Sequence, residues 1–212
     1  MKDKRPLLYL AVALLVVIAT FIVERPEDSR LNDVSSVYLV DDFDFAKVAS
    51  FEVTQLMDGA QLKREGDGWL VSELASPARR ELLAKNGEAA PEVKWVPADG
   101  TRVKSALGGF GGLEEGLFVS DNLDKQHMYQ VDAAGVSVRG YDADGNKLFD
   151  VIVGKNGPDF MGTFVRRAGE NRVWLVNRPL VGAFSPRAAD WQAREKQDAA
   201  TPATEPGQTA LE

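Results

Sequence analysis

The feature that most constrains this chain is an uncharged run near its N-terminus, residues 6–23 (PLLYLAVALLVVIATFIV). Only one Tyr and one Thr interrupt the apolar side chains, and a helix of this length is about long enough to cross a bilayer. Lys2, Lys4 and Arg5 precede the run. Because positive charge favours the cytoplasmic side, we predict a cytoplasmic segment at residues 1–5, a single-pass anchor in the inner membrane at 6–23, and the remainder outside the cytoplasm.

Two alternatives compete with the anchor. A cleaved secretory signal has a shorter apolar region and a small-x-small cleavage site, and the segment ATFIVERPE contains no such site. A buried helix of a soluble domain is rarely apolar on all sides. The run also has no ionisable residue and no glycine-based packing face, so it fits an anchor better than a pore.

Charge and Cys content narrow the classes of function. The chain has a net charge of −7, and its basic N-terminus makes the remaining part more acidic still. The phosphates of nucleic acid and of anionic lipid repel such a domain, so we expect neutral or basic partners and no nucleic acid. The chain has no Cys, which excludes disulfides, Cys-ligated metals and thiol catalysis.

Beyond the anchor we predict three segments. Residues 24–33 are polar and contain a proline, as expected of a tether. Residues 34–195 have the apolar patterning of one extracytoplasmic, periplasmic-type domain. Residues 196–212 have little apolar content and are expected to form a disordered acidic tail.

Alternation of apolar and polar residues within the domain predicts two groups of antiparallel strands separated by turn signals. The first group covers residues 48–56, 60–65 and 69–73, and the second covers 134–142, 147–154, 163–167 and 172–176.

Helix signals fall between and after these groups. Ser76 followed by Pro77 is a cap and first turn, and Gly87 suits the end of a short helix. Asp99 is a second cap, followed by apolar residues at helical spacing that begin with Val103. The expected fold class is α+β, with two small antiparallel sheets that each carry one helix, as two similar halves of a repeat.

The motifs that suggest bound phosphate or metal are weak. SALGGFGGLEEG has no Gly-Lys-Ser/Thr, and VGKNGPD has Asn156 where a magnesium-binding hydroxyl is needed. Asp142, Asp144, Asn146 and Asp150 resemble a calcium loop, but the glycine is at the wrong position, so a hairpin turn is the better interpretation.

A second acidic group, VDDFDF, contains Asp41, Asp42 and Asp44. It is interpreted as a capping cluster, with weak cation binding as the alternative. His127 is the only histidine, and no hydrolase or zinc motif accompanies it. We therefore predict no enzyme activity, no catalytic residue, no cofactor and no metal site, with carboxylate-only chemistry left open.

Four tryptophans are candidates for a glycan or lipid platform. Trp69 and Trp174 lie inside strand patterns and are expected in the core, while Trp191 is expected to pin a terminal helical segment. Trp95 is the best candidate for exposure.

Several segments, in this order, resemble the domain of unknown function 4340 (DUF4340) family: FDFAKVASFEV, GDGWLV, ADGTRVKSALGGF, FVSDNLDKQHMYQVDAAGVSVRGYDADGNKL, VGKNGPDFMGTFVRR, RVWLVN and RAADW. The resemblance implies a one-helix anchor and an extracytoplasmic domain that accompanies an ABC-type or gliding-motility-like transport assembly. It supplies no catalytic residues. Residues 73–97 look like an insertion relative to the family.

The expected function is that of an accessory or structural subunit of an ABC-type transport assembly, acting by protein–protein contact with other membrane subunits. The alternative is a binding module for a lipid, glycan or peptide handled by that assembly. A concave apolar pocket favours the binding module, and a flat surface with exposed apolar residues favours the subunit.

Overall fold

The computed structural model describes residues 38–41, 43–158 and 160–193. The predicted cytoplasmic segment, anchor, tether and acidic tail all lie outside these residues. Within the described part of the chain, no helix combines the length and the apolar character that a membrane crossing requires.

Nine strands form one antiparallel sheet in the order β4-β3-β2-β1-β6-β7-β8-β9-β5. The strands are β1 (Ser50–Gln55), β2 (Asp58–Glu65), β3 (Gly68–Glu73), β4 (Val96–Pro97), β5 (Leu117–Ser120), β6 (Val136–Tyr141), β7 (Lys147–Asn156), β8 (Thr163–Arg167) and β9 (Val173–Val176).

The prediction of two small sheets is wrong, although seven of the nine strands form where the alternation predicted them; β4 and β5 were not predicted. β1 pairs with β6 along most of its length, with Val53 opposite Val138, and this pairing joins the two groups of strands. Phe51, Val53 and Val138 are all fully buried on the same face. Pairing β1 with β6 therefore extends one apolar face and removes two open edges, which separate sheets would have left exposed.

The prediction of one helix on each sheet is also wrong. The helices are α1 (Pro77–Asn86), α2 (Gly100–Gly108) and α3 (Gln126–Tyr129). α1 begins and ends as predicted, because Ser76 Oγ accepts the Arg79 N–H at 3.1 Å and Gly87 adopts φ 70°. None of its residues is buried, however, so α1 does not cover the sheet. Its sequence has strong end signals but no apolar stripe to bury.

α2 is the helix that packs on the sheet. Asp99 caps it by accepting the N–H groups of Thr101 and Arg102, and Val103, Ala106 and Leu107 are buried. The terminal helical segment is only a 3₁₀ turn, Ala188–Trp191, and its Trp191 is fully buried. One helix and one folded-back terminal segment therefore cover the apolar face that we expected two helices to cover.

The core is one continuous layer between the sheet and α2 with the terminal segment. Aromatic rings dominate it: Phe51 meets Trp191 at a centroid distance of 5.6 Å, and Phe110 stacks on Phe184 at 4.9 Å. Burying each such ring contributes about 1.5–3 kcal/mol. A smaller apolar cluster around Phe164 forms a second core region.

Candidate functional site

An open cleft of about 670 Å³ lies at one end of the sheet, where β1 ends, β6 begins and β7 ends. Its lining includes Gln55 from β1, Val136 from β6 and Val153 from β7. The terminal segment supplies another part of the lining through residues 181–182 and 184–187. The volume lies within the range of about 300–1,000 Å³ that small-molecule sites occupy.

Charged side chains of both signs line this cleft: Arg102, Lys155, Arg187, Asp58 and Asp190. Asp190 already has local partners, since its Oδ2 accepts the Ser185 hydroxyl at 2.5 Å and Arg187 Nε at 3.2 Å. The hydrogen bond from Ser185 lowers the pKa of Asp190, and the positive charges of Arg187 and Arg102 act in the same direction. Asp190 is therefore an ionised carboxylate that already accepts hydrogen bonds from Ser185 and Arg187.

Arg102 lines the cleft, and its side chain donates no hydrogen bond to a described residue. It lies in the first turn of α2, and its guanidinium sits over the Trp191 ring at 5.2 Å. Its Nε is shielded from solvent and has no hydrogen-bond partner among the described residues. The stacked guanidinium holds its positive charge and its remaining N–H donors at the border of the cleft, where an anionic group can bind.

The two edges of the sheet differ in how they are protected. β4 contains Pro97, and the terminal segment covers it: Ala98 forms a bridge with Gln192, and Ala193 N–H donates to Pro97 O at 3.0 Å. Proline and a covering segment are two common ways to block an edge strand.

β5 forms the other edge and has neither protection. Its sequence LFVS contains no charge and no proline, and no described residue pairs with its outer side. Leu117 is 63% exposed and Phe118 is 49% exposed. Phe118 packs its ring against Trp174 at 5.6 Å, so it is held in place while half of it remains exposed. An open, uncharged edge with exposed apolar side chains is typical of an interaction surface.

The residues considered for catalysis or metal binding do not come together. His127 is exposed on α3 and does not line the cleft. Asp142 accepts the N–H groups of Asp144 and Asn146 at 2.9 and 2.8 Å, which makes the segment a hairpin turn, as interpreted from the sequence. A hydrogen bond from the Asn146 side chain lowers the pKa of Asp142. Asp150 lies in β7 and pairs with Arg139 at 3.2 Å.

The other acidic cluster also serves a local role. Asp44 caps the 3₁₀ turn Phe45–Lys47 by accepting the Ala46 N–H at 2.8 Å, and Asp42 lies outside the described residues. Among the described residues, no group of three or more His, Asp or Glu side chains is placed to hold a metal ion.

The tryptophans follow the predictions in part. Trp69 and Trp191 are buried, while Trp174 is half-buried against the core. Trp95 is half-buried, with Lys63 Nζ 4.5 Å from its ring centroid. Its ring is therefore partly covered, and it forms no open platform.

Arg102, Arg187 and Asp190 belong to no binding motif in the sequence, and Lys155 belongs only to VGKNGPD, the weak phosphate-loop motif described above. Each lies in a segment that we interpreted only as a helix face, a strand end or a terminal patch. Ser185 followed by Pro186 is the one local signal, because a serine hydroxyl commonly accepts the N–H two residues on in a turn, as Ser185 accepts the Arg187 N–H at 3.2 Å. Nothing in the local pattern places Arg102 beside that turn.

A family model described as domain of unknown function (DUF4340) matches residues 89–197. The match contains β4 to β9, α2, α3 and the terminal 3₁₀ turn, and it begins inside the segment 73–97 that looked like an insertion. β1, β2 and β3 precede it. No curated protein and no solved structure matches the chain. With more than half of its length matched by the family model, the chain belongs to the DUF4340 family.

Proposed function

We propose that this chain is a membrane-anchored, extracytoplasmic accessory subunit of an ABC-type transport assembly, acting by protein–protein contact. The uncharged run at residues 6–23 and the acidic remainder of the chain support an anchor followed by an exported domain. The observation that carries the proposal is the open edge β5, with Leu117 and Phe118 exposed.

The proposed occupant of this edge is an extended segment of a neighbouring subunit, added as one more strand beside β5. The free backbone groups of an edge strand supply main-chain hydrogen bonds to such a segment, and exposed side chains select it. Glu114 precedes β5 and Asp121 follows it, and both are exposed. A partner segment with apolar residues between basic ends would match this surface in shape and in charge.

The test is purification of the full chain from its own membranes in mild detergent, with mass spectrometry of co-eluting proteins. Leu117→Asp places a charge on the edge, and Leu82→Asp places one at a comparably exposed position of α1. The wild type and Leu82→Asp should co-elute with subunits of an ABC-type assembly, and Leu117→Asp should not. A photo-crosslinking residue at position 118 should label one of those subunits.

Two results would overturn the proposal. One is recovery of the wild-type chain alone, as a monodisperse monomer in several detergents. The other is equal co-elution of both Asp variants, provided that their melting temperatures match that of the wild type.

A second candidate function, a binding module for a lipid, glycan or peptide, is favoured by the cleft that Arg102 borders. The cleft lies at one end of a single sheet, and its lining is partly charged. The function as a subunit and the function as a binding module use different surfaces, so they can be tested separately.

A further inference from the structure

The cleft is lined by an arginine whose side chain donates no hydrogen bond to a described residue. Arg102 Nε is shielded from solvent without a partner among the described residues, and the guanidinium is fixed over Trp191. Because Arg102 lines the cleft and its side chain donates to no described residue, the solvent-facing part of its guanidinium is available to an acceptor on a ligand. The nearest candidate within the chain, Asp190, is already bonded to Ser185 and Arg187.

We propose that this cleft binds a short peptide through its free carboxylate, with Arg102 and Lys155 as the anion-binding residues. Lys155 is exposed at the end of β7 and forms no ion pair with a described carboxylate, so its charge is available to a ligand. The planar guanidinium of arginine matches a carboxylate through two parallel hydrogen bonds.

The rest of the lining suits a peptide better than a polyphosphate. Val136 and the exposed Val181 offer apolar contact to a side chain, and the amides of Gln130 and Asn156 offer donors and acceptors to peptide groups. Asp58 adds a negative charge to the lining, which disfavours a polyphosphate. The net charge of −7 repels a ligand with several negative charges more strongly than one with a single carboxylate.

The inference develops the second candidate function and does not depend on a partner at β5. If the cleft binds no peptide, the result of the co-elution experiment with Leu117→Asp still stands. If no partner co-elutes, the result of the peptide titration still stands. The two surfaces share no residue.

The experiment is isothermal titration of the full chain in mild detergent with the tripeptide Ala-Ala-Leu, followed by the same peptide with an amidated C-terminus. The free carboxylate form should bind, and amidation should weaken binding by about tenfold or more, since one charge-assisted contact is lost. Tryptophan fluorescence should change with the free form, because Trp191 lies under Arg102.

Variants of the cleft residues test which side chains bind the carboxylate of the peptide. Arg102→Gln and Lys155→Ala should each weaken binding of the free carboxylate form and leave the already weak binding of the amide unchanged. Arg102→Lys should keep part of the affinity because the charge remains. Arg80→Gln, at an exposed arginine of α1, is the matched control and should bind as the wild type does. Lys155→Ala keeps the test informative if Arg102→Gln does not fold, because Lys155 is exposed.

Three outcomes would overturn the proposal. The first is no binding of the free peptide at millimolar concentration, and the second is equal binding of the free and amidated peptides. The third is equal competition by inorganic phosphate, which would mean that the cleft accepts any anion.

Discussion

Replacing Arg167 with Met tests how the first described segment of the chain is held to the sheet. Arg167 lies at the end of β8, and its guanidinium donates to Leu39 O at 3.0 Å, to Tyr38 O and to the Glu115 carboxylate. The Arg167 and Glu115 side chains are only 22% and 14% exposed. One side chain therefore ties the segment at 38–39 and the loop before β5 to the same strand.

The expected loss can be worked from these contacts. A hydrogen bond to a charged group contributes about 1.5–3 kcal/mol, and removing one partner of a fully buried ion pair costs about 3–5 kcal/mol. Because Arg167 keeps some contact with water, solvent screening reduces these values. We expect Arg167→Met to lower the free energy of unfolding by about 2–3 kcal/mol, which corresponds to a fall in melting temperature of roughly 4–12 °C for a domain of this size.

The assay is denaturant unfolding followed by tryptophan fluorescence for Arg167→Met, Glu115→Gln and the double variant. The double-variant cycle should give a coupling energy of about 1 kcal/mol or more, as expected for residues in direct contact. Amide exchange at Leu39, whose N–H donates to Leu113 O at 2.7 Å, should accelerate while exchange in β1 and β6 does not.

The control is Arg172→Met, because Arg172 is exposed and forms no ion pair with a described residue. If Arg167→Met and Arg172→Met were equally stable, or if the coupling energy were near zero, the Arg167–Glu115 pair would not hold the segment at 38–39 to the sheet.

Two further predictions concern the core face and the terminal segment. Gly140→Ala should destabilise the fold by about 1–3 kcal/mol, because a Cβ at residue 140 would lie 2.2 Å from the ring of Phe149. Denaturant unfolding measures the loss, and an unchanged unfolding midpoint would refute the prediction. The pKa of Asp190 is lowered in the folded chain, so its contribution to stability is present above the pKa of the unfolded state and is lost as the pH falls through the folded pKa. Melting curves from pH 6 to pH 3 should therefore fall less steeply for Ser185→Ala than for the wild type, and identical slopes would refute the role of Ser185.

Local signals in this chain predicted local structure well. Ser76, Gly87 and Asp99 mark helix ends in the sequence and in the structure, because capping depends on neighbours three or four residues away. Seven strands also form at the predicted positions, since alternation determines which side chains face the core. The short edge strands β4 and β5 were missed, because two and four residues are too few to show an alternating pattern. Strand order depends on contacts between distant segments, and no turn signal between residues 55 and 136 indicates that β1 lies beside β6.

The pairing of β1 with β6 determines whether the cleft forms. Gln55 at the end of β1 and Val136 at the start of β6 line the same cleft, and Gln55 Nε2 donates to Ala134 O at 2.7 Å across the junction. If the strand groups formed separate sheets, these residues would lie on different layers, and Arg102 would border no common space with them. The cleft thus arises from the same long-range contact that the sequence pattern left open, and a search for local motifs could not have found it. The edge strand β5 was missed for a related reason, because its position at the edge follows from its pairing with β9, and only then does its uncharged sequence show that nothing in the strand blocks a partner.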